Sequence, residues 1–213
     1  MALSLDQKKE VPLKKGDSVL LKKNGKVLQE LCFGINWGSI VRKSFFGLVR
    51  ESEGVDLDSS ATIFNQDKMV VETIYHHSLI SKDGSVVHSG DDLWGDPNGD
   101  DGKDNEVIEV FLNKISDTSN QIVFFLNSYQ GQDFSVIPYS KIRIFEGTPR
   151  EAKTVFASFN LSAEESFKGH VAMVMGKLFK GSEGWEFKAI GEPVNASTMR
   201  ETIKVIQQKY LDD

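Results

Sequence analysis

The sequence has a single cysteine, Cys32, so it cannot close an intrachain disulfide. At 213 residues it needs none, because a chain of that length can bury a full core unaided. It also lacks any run approaching the roughly 18 consecutive apolar residues of a spanning helix. Its longest apolar pieces, such as IVFFL over 122–126, are strand-sized, and direct membrane insertion is not expected. A basic excess is missing too. The formal net charge is −6, which removes the electrostatic footing for nucleic acid or for an anionic membrane surface. The opening MALSLDQKK has no apolar stretch of the secretory kind, so a cytoplasmic protein is expected. No internal repeat, low-complexity linker or break in composition divides the chain. The simplest organisation is one domain over 1–213, with its core at about 17–192 and a C-terminal helix over 197–211.

What the chain has in abundance is short segments of strand composition bounded by Gly, Asn, Asp and Ser. In QELCFGINW, Leu31, Phe33, Ile35 and Trp37 alternate with Cys32, Gly34 and Asn36, the period of a strand with one buried face. VDLDSSATIF, MVVETIYHH, EVIEVFLNKI, QIVFFLNSY, SKIRIF, TVFASFNL, HVAMVMGKLF and WEFKAIGE read the same way, the last two as arms of a hairpin. Many strands and one helix predict an all-β fold, a β-sandwich of two mainly antiparallel sheets. The helix is placed in the tail, where Ser197 can cap, Glu201 stands in the first turn, and Ile203, Ile206 and Tyr210 recur at helical spacing. The basic, Phe-containing stretch from Ser39 to Gly54 reads as a loop.

Charge is concentrated in one place. Between 91 and 106 stand Asp91, Asp92, Asp96, Asp100, Asp101, Asp104 and Glu106 against one base, Lys103. Taking seven from the 31 acids and one from the 25 bases leaves 24 of each, so this segment holds the whole acidic excess. Carboxylates at that density repel and raise one another's pKa unless solvent or a cation relieves them. Gly90, Gly95, Gly99 and Gly102 let the chain turn tightly here, and carboxylates, an Asn amide and main-chain carbonyls in such a loop are the ligands calcium takes. Asp96, Asn98 and Asp100 match the first alternate positions of an EF-hand loop. The match then fails, because Asp101 takes the place of its glycine, Val107 that of its final Glu, and strands flank the segment. The loop has no Cys or His, which disfavours zinc. Magnesium stays as the alternative to calcium, and a solvated acidic loop as the alternative to a metal site. Asp56 and Asp58, two apart in a predicted strand, project to one face and either join the cluster or form a polar strand edge.

The pieces FGINW, GVDLDSSA, SKDGSVVHSGDDLWGDPNGDDGKDNEVIEV, FNLS, AMVMGKLF and GWEFKAIGE follow one another over roughly 30–192. In that order they resemble the successive blocks of the TerD tellurium-resistance and stress-protein family, nearest its TerZ-like branch. The resemblance implies a β-sandwich that binds calcium, with two ions expected. Its DLD element falls on Asp56 and Asp58, and its acidic block on Asp91, Asp92, Asp96, Asn98, Asp100, Asp101, Asp104 and Glu106. It further implies a bacterial, non-enzymatic role in tellurite resistance and stress tolerance, as a calcium-dependent binding or scaffold module. Partners would be other Ter proteins, a TerC-like membrane protein among them. Trp94 and Pro97 depart from the family pattern, and Asn98, where Asp is common, keeps an oxygen ligand while lowering the charge.

Other residues read more plainly. His76 and His77 adjoin on a predicted strand, face opposite sides, and count as ordinary core or surface histidines. His88 either steadies a ligand or is a plain strand polar. Cys32 reads as structural, having no resolving partner, and Trp37, Trp94 and Trp185 read as core or lid. A carboxylate-based, glycosidase-like hydrolase is the enzymatic alternative, although acids gathered in one turn do not face each other across a cleft. A calcium-regulated site for a small ligand is another, without a GxGxxG or GxxxxGK phosphate loop to support it.

Overall fold

Strand-forming sequence becomes strand nearly throughout, and the apolar faces turn inward between two sheets. The computed structural model describes residues 3–4, 11–43, 50–160 and 165–212. In chain order the strands are β1 (Leu3–Ser4), β2 (Val11–Pro12), β3 (Ser18–Leu20), β4 (Lys22–Lys23), β5 (Lys26–Val27), β6 (Glu30–Trp37), β7 (Ile40–Lys43), β8 (Arg50–Glu53) and β9 (Leu57–Asn65). They continue as β10 (Val70–Ile74), β11 (Val86–His88), β12 (Glu106–Phe111), β13 (Ser119–Ser128), β14 (Ser140–Thr148), β15 (Glu151–Asn160), β16 (Ala172–Gly181) and β17 (Gly184–Pro193), before helix α1 (Met199–Lys209). One sheet has the order β1-β3-β17-β16-β13-β9-β10 and the other β11-β12-β6-β14-β15-β2. Pairing is antiparallel except for β1 with β3 and β15 with β2. This is the expected all-β sandwich, and β16 and β17 form the expected hairpin.

Between the sheets, Phe33 stacks on Phe124 with ring centroids 4.2 Å apart, and Phe187 tilts against both. Leu31, Phe33, Ile35 and Trp37 all enter this core, as their alternation predicts. The opposite face of β6 was expected to meet solvent, yet it is buried as well. Cys32 packs there with Val107 and Phe145. A Cβ at Gly34 would overlap the Asp104 carboxylate and the Phe145 ring, so this mid-strand glycine marks where the acidic loop presses onto the sheet.

Burial, reinforced by Glu109, Glu30 and Asp104, pushes the Cys32 thiol up from 9.0 to about 12. The native protein is therefore expected to resist alkylation at about pH 8 and to label once denatured, since only the thiolate reacts. The folded value lies above the unfolded one. Its contribution to stability is thus complete below about pH 9 and lost as pH rises toward about 12. Rapid labelling of the native protein, read by mass spectrometry, would contradict this.

The outer face of the larger sheet is covered by α1, whose Ile206 joins Phe64, Val123, Phe125 and Val174. Thr198 rather than Ser197 is the N-cap, and Ser197 instead holds the Glu201 carboxylate through its N–H and hydroxyl, both at 2.8 Å. At the other end, buried Lys177 donates to the Tyr210 carbonyl at 3.0 Å, placing a cation where the helix dipole favours one. No helix among the described residues is long and apolar enough to cross a membrane.

KKNGK adds an element, and two further readings change. KKNGK forms a hairpin, β4 with β5, in which Asn24 (φ 52°) and Gly25 (φ 71°) supply the left-handed pair a two-residue turn requires. Ser39–Gly54 is not all loop, because β7 pairs with β8; residues 44–49, Phe45 and Phe46 among them, lie outside the described residues. So do Leu161 and Ser162 of the FNLS block. The strand expected through His77 stops at Ile74. Tyr75 and Ser78 then exchange main-chain hydrogen bonds of 3.2 and 2.8 Å across a tight turn with His76 and His77 at its centre. Consequently the two imidazoles meet edge to face at 4.2 Å instead of pointing to opposite sides.

Candidate functional site

The acidic segment connects β11 to β12 and lies over the end of β6. Its main chain is sewn to the sandwich. Asp96 N–H donates to Trp37 O at 2.9 Å, Ser39 N–H to Asp96 O at 3.1 Å, Val55 N–H to Trp94 O at 3.1 Å, and Asn105 N–H to Ile35 O at 2.9 Å. Gly95 has φ 64°, and a Cβ there would strike the Trp37 indole, so both conformation and close packing require glycine. Asp92 Oδ1 accepts from the N–H groups of Trp94 and Gly95, each at 2.9 Å, which fixes the turn. Although its main chain is pinned, the Trp94 side chain is 66% exposed, with Leu93 beside it at 51%.

The acids of this segment divide into two groups. In the outer group the protein itself answers the charge. Asp96 Oδ2 accepts from Asn36 Nδ2 (3.0 Å), Tyr139 Oη (2.8 Å) and Asp101 N (3.3 Å), and Oδ1 from Asn105 Nδ2 (3.1 Å). Four donors thus engage one carboxylate, three of them on Oδ2. Burial and this bond to Asp96 push the Tyr139 hydroxyl pKa upward. Asp100 pairs with Lys141, which together with the Gly102 N–H holds its carboxyl below the usual range. Asp104, its side chain 3% exposed, receives Arg143 Nε at 2.9 Å and Nη2 at 2.8 Å on one oxygen. Burial pushes the Asp104 pKa up against the pull of that guanidinium. Asp101 accepts from Lys103 N–H at 2.8 Å, and both Asp101 and Asn98 are exposed.

The inner group is differently placed. Asp56, just before β9, and Asp58, within it, approach Asp91, which brings the two acidic segments together as one of the sequence alternatives required. Asp56 is only 5% exposed, and its buried Oδ1 accepts no hydrogen bond. Burial raises its pKa, and the charges of Asp91 and Glu106 raise it further. Asp58 is pushed up to about 6 by burial, with His76 opposing and Asp56, Glu106 and Asp91 adding to the rise. Nδ1 of His76 lies 2.7 Å from Asp58 Oδ1, yet the approach is off the hydrogen-bond direction and Nδ1 has no aligned partner.

Behind this group stands Glu106, fully buried. Its Oε2 accepts from Ser59 N at 2.9 Å and from Ser59 Oγ, and lies 3.5 Å from His88 Nε2, while Oε1 accepts from Asp92 N at 3.3 Å. His88 Nδ1 accepts from Gly90 N–H at 3.1 Å, which leaves the ring proton on Nε2, toward Ser59 and Glu106. His88 therefore bonds to the strand β9 and to the start of the loop rather than standing as an isolated strand polar. Glu106 is thus a tie between the loop and β9.

Sequence reasoning passed over Asn36, Asn105, Tyr139, Lys141, Arg143 and Ser59, and reads His76 as an ordinary histidine. Two cations among them had a signal. Lys141 and Arg143 alternate with Ile142 and Ile144 in SKIRIF, which places both cations on the face turned away from the core.

A two-sheet sandwich that gathers carboxylates from a strand and a long loop at one end defines a β-sandwich protein with a candidate cation site. The TerD domain model matches residues 10–204, and the chain belongs to that family. It is 30% identical over 190 residues to the tellurium resistance protein TerZ of Serratia marcescens, covering 89% of this chain and 93% of that one. Stress response protein SCP2 of Bacillus subtilis (strain 168) is 28% identical over 202 residues, 91% of this chain and 97% of the relative. Among solved structures, SCO6318 of Streptomyces coelicolor A3(2), described as a homologue of telluride resistance protein (TerD), superposes with a TM-score of 0.60. That match covers 82% of this chain and 95% of the other, and at 15% identity it speaks for the fold alone.

Proposed function

We propose that this tellurium-resistance and stress-family protein is a calcium-binding module of the cytoplasm, holding its cation between the start of β9 and the acidic loop. Asp56, Asp58 and Asp91 supply the carboxylates, Asp92 lies beside them, and Glu106 fixes the loop against the strand. The observation that carries the reading is the Asp56 oxygen, buried among carboxylates and accepting no hydrogen bond. A buried acceptor left in that state is costly unless something positive meets it. Carboxylate oxygens are hard ligands of the kind calcium takes, and a bound ion would supply the positive charge that the inner group needs. One ion is favoured over the two expected. The outer carboxylates Asp96, Asp100 and Asp104 are already engaged by Asn36, Asn105, Tyr139, Lys141 and Arg143.

The role is binding rather than catalysis, because the acids converge on one place instead of flanking a substrate from opposite walls. Leu93 and Trp94 give the same loop an exposed apolar tip, where a partner would register the loop's state. Other Ter components, a TerC-like membrane protein among them, are the proposed partners.

Titrating calcium against magnesium while following Trp fluorescence and melting temperature tests the site. A ligand that binds only the native state stabilises it by about 2.7 kcal/mol at 100 times its Kd. Calcium is expected to raise the melting temperature and shift the Trp94 emission, and Asp56→Asn to remove both effects. Unchanged signals in millimolar calcium would sink the assignment.

A further inference from the structure

The inner group contains one ligand that calcium does not call for. One atom each of Asp58, His76 and Asp91 lies within 4.8 Å of the other two, close enough to meet on a single ion. Two carboxylates alone would suit a hard cation. An imidazole nitrogen added to them suits zinc, cobalt and nickel, and oxygen and nitrogen sites generally bind these metals more tightly than they bind harder cations.

Three features argue against an incidental histidine. First, its placement is rigid: the Tyr75–Ser78 turn is closed by two main-chain hydrogen bonds, and the ring is packed edge-on by His77 at 4.2 Å and by Tyr75 at 5.4 Å. Second, Nδ1 is buried and 2.7 Å from Asp58 Oδ1 without an aligned hydrogen bond, so the two atoms converge as co-ligands would rather than as donor and acceptor. Third, Asp56, two residues before Asp58, carries a buried Oδ1 that accepts no hydrogen bond. Asp58 and His76 also line a cleft of about 320 Å³ with Tyr75, Asn127 and Tyr129. The cleft opens the Asp58 and His76 side of the group, and Asp91 is itself exposed.

We propose that His76 Nδ1, Asp58 and Asp91 form a site for a divalent transition metal of the zinc and cobalt class. The pocket would then distinguish such metals from calcium by one nitrogen. This rests on the reading that Asp58 and Asp91 hold a cation, and adds to it which second class of cation competes there. The ring would coordinate through Nδ1 and carry its proton on Nε2.

The test is calorimetric titration of the whole protein with zinc, cobalt and calcium separately, repeated on His76→Phe, His76→Gln and Asp58→Asn. Losing an outer-sphere partner alone costs roughly 10–100-fold in metal affinity, so removing a ligand is expected to cost at least that for zinc and cobalt. Calcium affinity should fall far less than zinc and cobalt affinity in both His76 variants, while Asp58→Asn weakens all three metals. Melting temperatures of the metal-free variants check that each is folded. In cobalt-loaded wild type, one exchangeable imidazole N–H resonance should be hyperfine-shifted, a readout that needs no variant. Zinc binding that ignores His76, or a cobalt form without that resonance, overturns the proposal. His76-dependent zinc binding without calcium binding would instead sink the calcium reading and leave this one standing. Calcium binding without zinc binding does the reverse.

Discussion

Replacing Arg143 by methionine is expected to lower the unfolding free energy by about 3 kcal/mol, the low end of what removing one member of a buried ion pair costs. The low end applies because the Arg143 side chain is 24% exposed, whereas that of Asp104 is 3% exposed. Methionine keeps apolar bulk near the Phe145 ring, over which the guanidinium lies at 6.0 Å. What it removes is the pair of N–H groups on Asp104 Oδ1 and the 3.3 Å bond to Gly102 O. The loss is therefore mainly an uncompensated buried charge. Adding Asp104→Asn to the same background should recover much of it, since the charge disappears with its partner. Urea midpoints of the wild type, both single variants and the double variant give the coupling directly. A single variant within about 0.5 kcal/mol of wild type would mean that the pair does not neutralise the loop. Calcium should still raise the melting temperature of Arg143→Met, because Asp56, Asp58 and Asp91 belong to the inner group.

The division into inner and outer acids explains which parts of this protein its sequence discloses. Strand identity came from period-two apolar patterns, and those patterns also placed Phe33, Ile35 and Trp37 in the core. The charge count located the loop. What a charge count cannot do is say which acids find protein partners, because Lys141 and Arg143 are distant in sequence and reach the loop only through the β6–β14 pairing. Gly34 and Asn36 held a readable clue. A glycine and an amide on the outward face of a strong strand suggest something pressing on it, and the acidic loop is what presses. The turn at His76 and His77 had no such clue, having neither Gly, Pro nor Asn, and the β-rich run before it carried the strand reading too far. Without that turn, the imidazole beside Asp58 reads as one on an ordinary strand face.

Glu106→Leu is expected to cost about 3 kcal/mol and to weaken calcium binding, although Glu106 is a positioning residue rather than a ligand in this scheme. The side chain is fully buried, and leucine fills similar space, so packing is largely retained. The damage comes from donors left facing hydrocarbon: Ser59 N–H at 2.9 Å, the Ser59 hydroxyl, Asp92 N–H at 3.3 Å and the nearby His88 Nε2–H at 3.5 Å. Each orphaned buried donor costs about 1–3 kcal/mol, and the longer bonds contribute least. Glu106→Gln keeps one acceptor oxygen while turning an amide N–H₂ toward donors, so its loss should be intermediate. The functional consequence follows from what Glu106 joins. Ser59 belongs to the strand that carries Asp58, and Asp92 adjoins Asp91, so cutting the tie frees two halves of one cation site from each other. Calcium affinity should accordingly fall in the order wild type, Glu106→Gln, Glu106→Leu, parallel to stability. Chemical denaturation gives the first quantity and calcium titration of the folded variants the second. If Glu106→Leu is destabilised but binds calcium as wild type does, Glu106 supports the fold alone and the site keeps its shape without it.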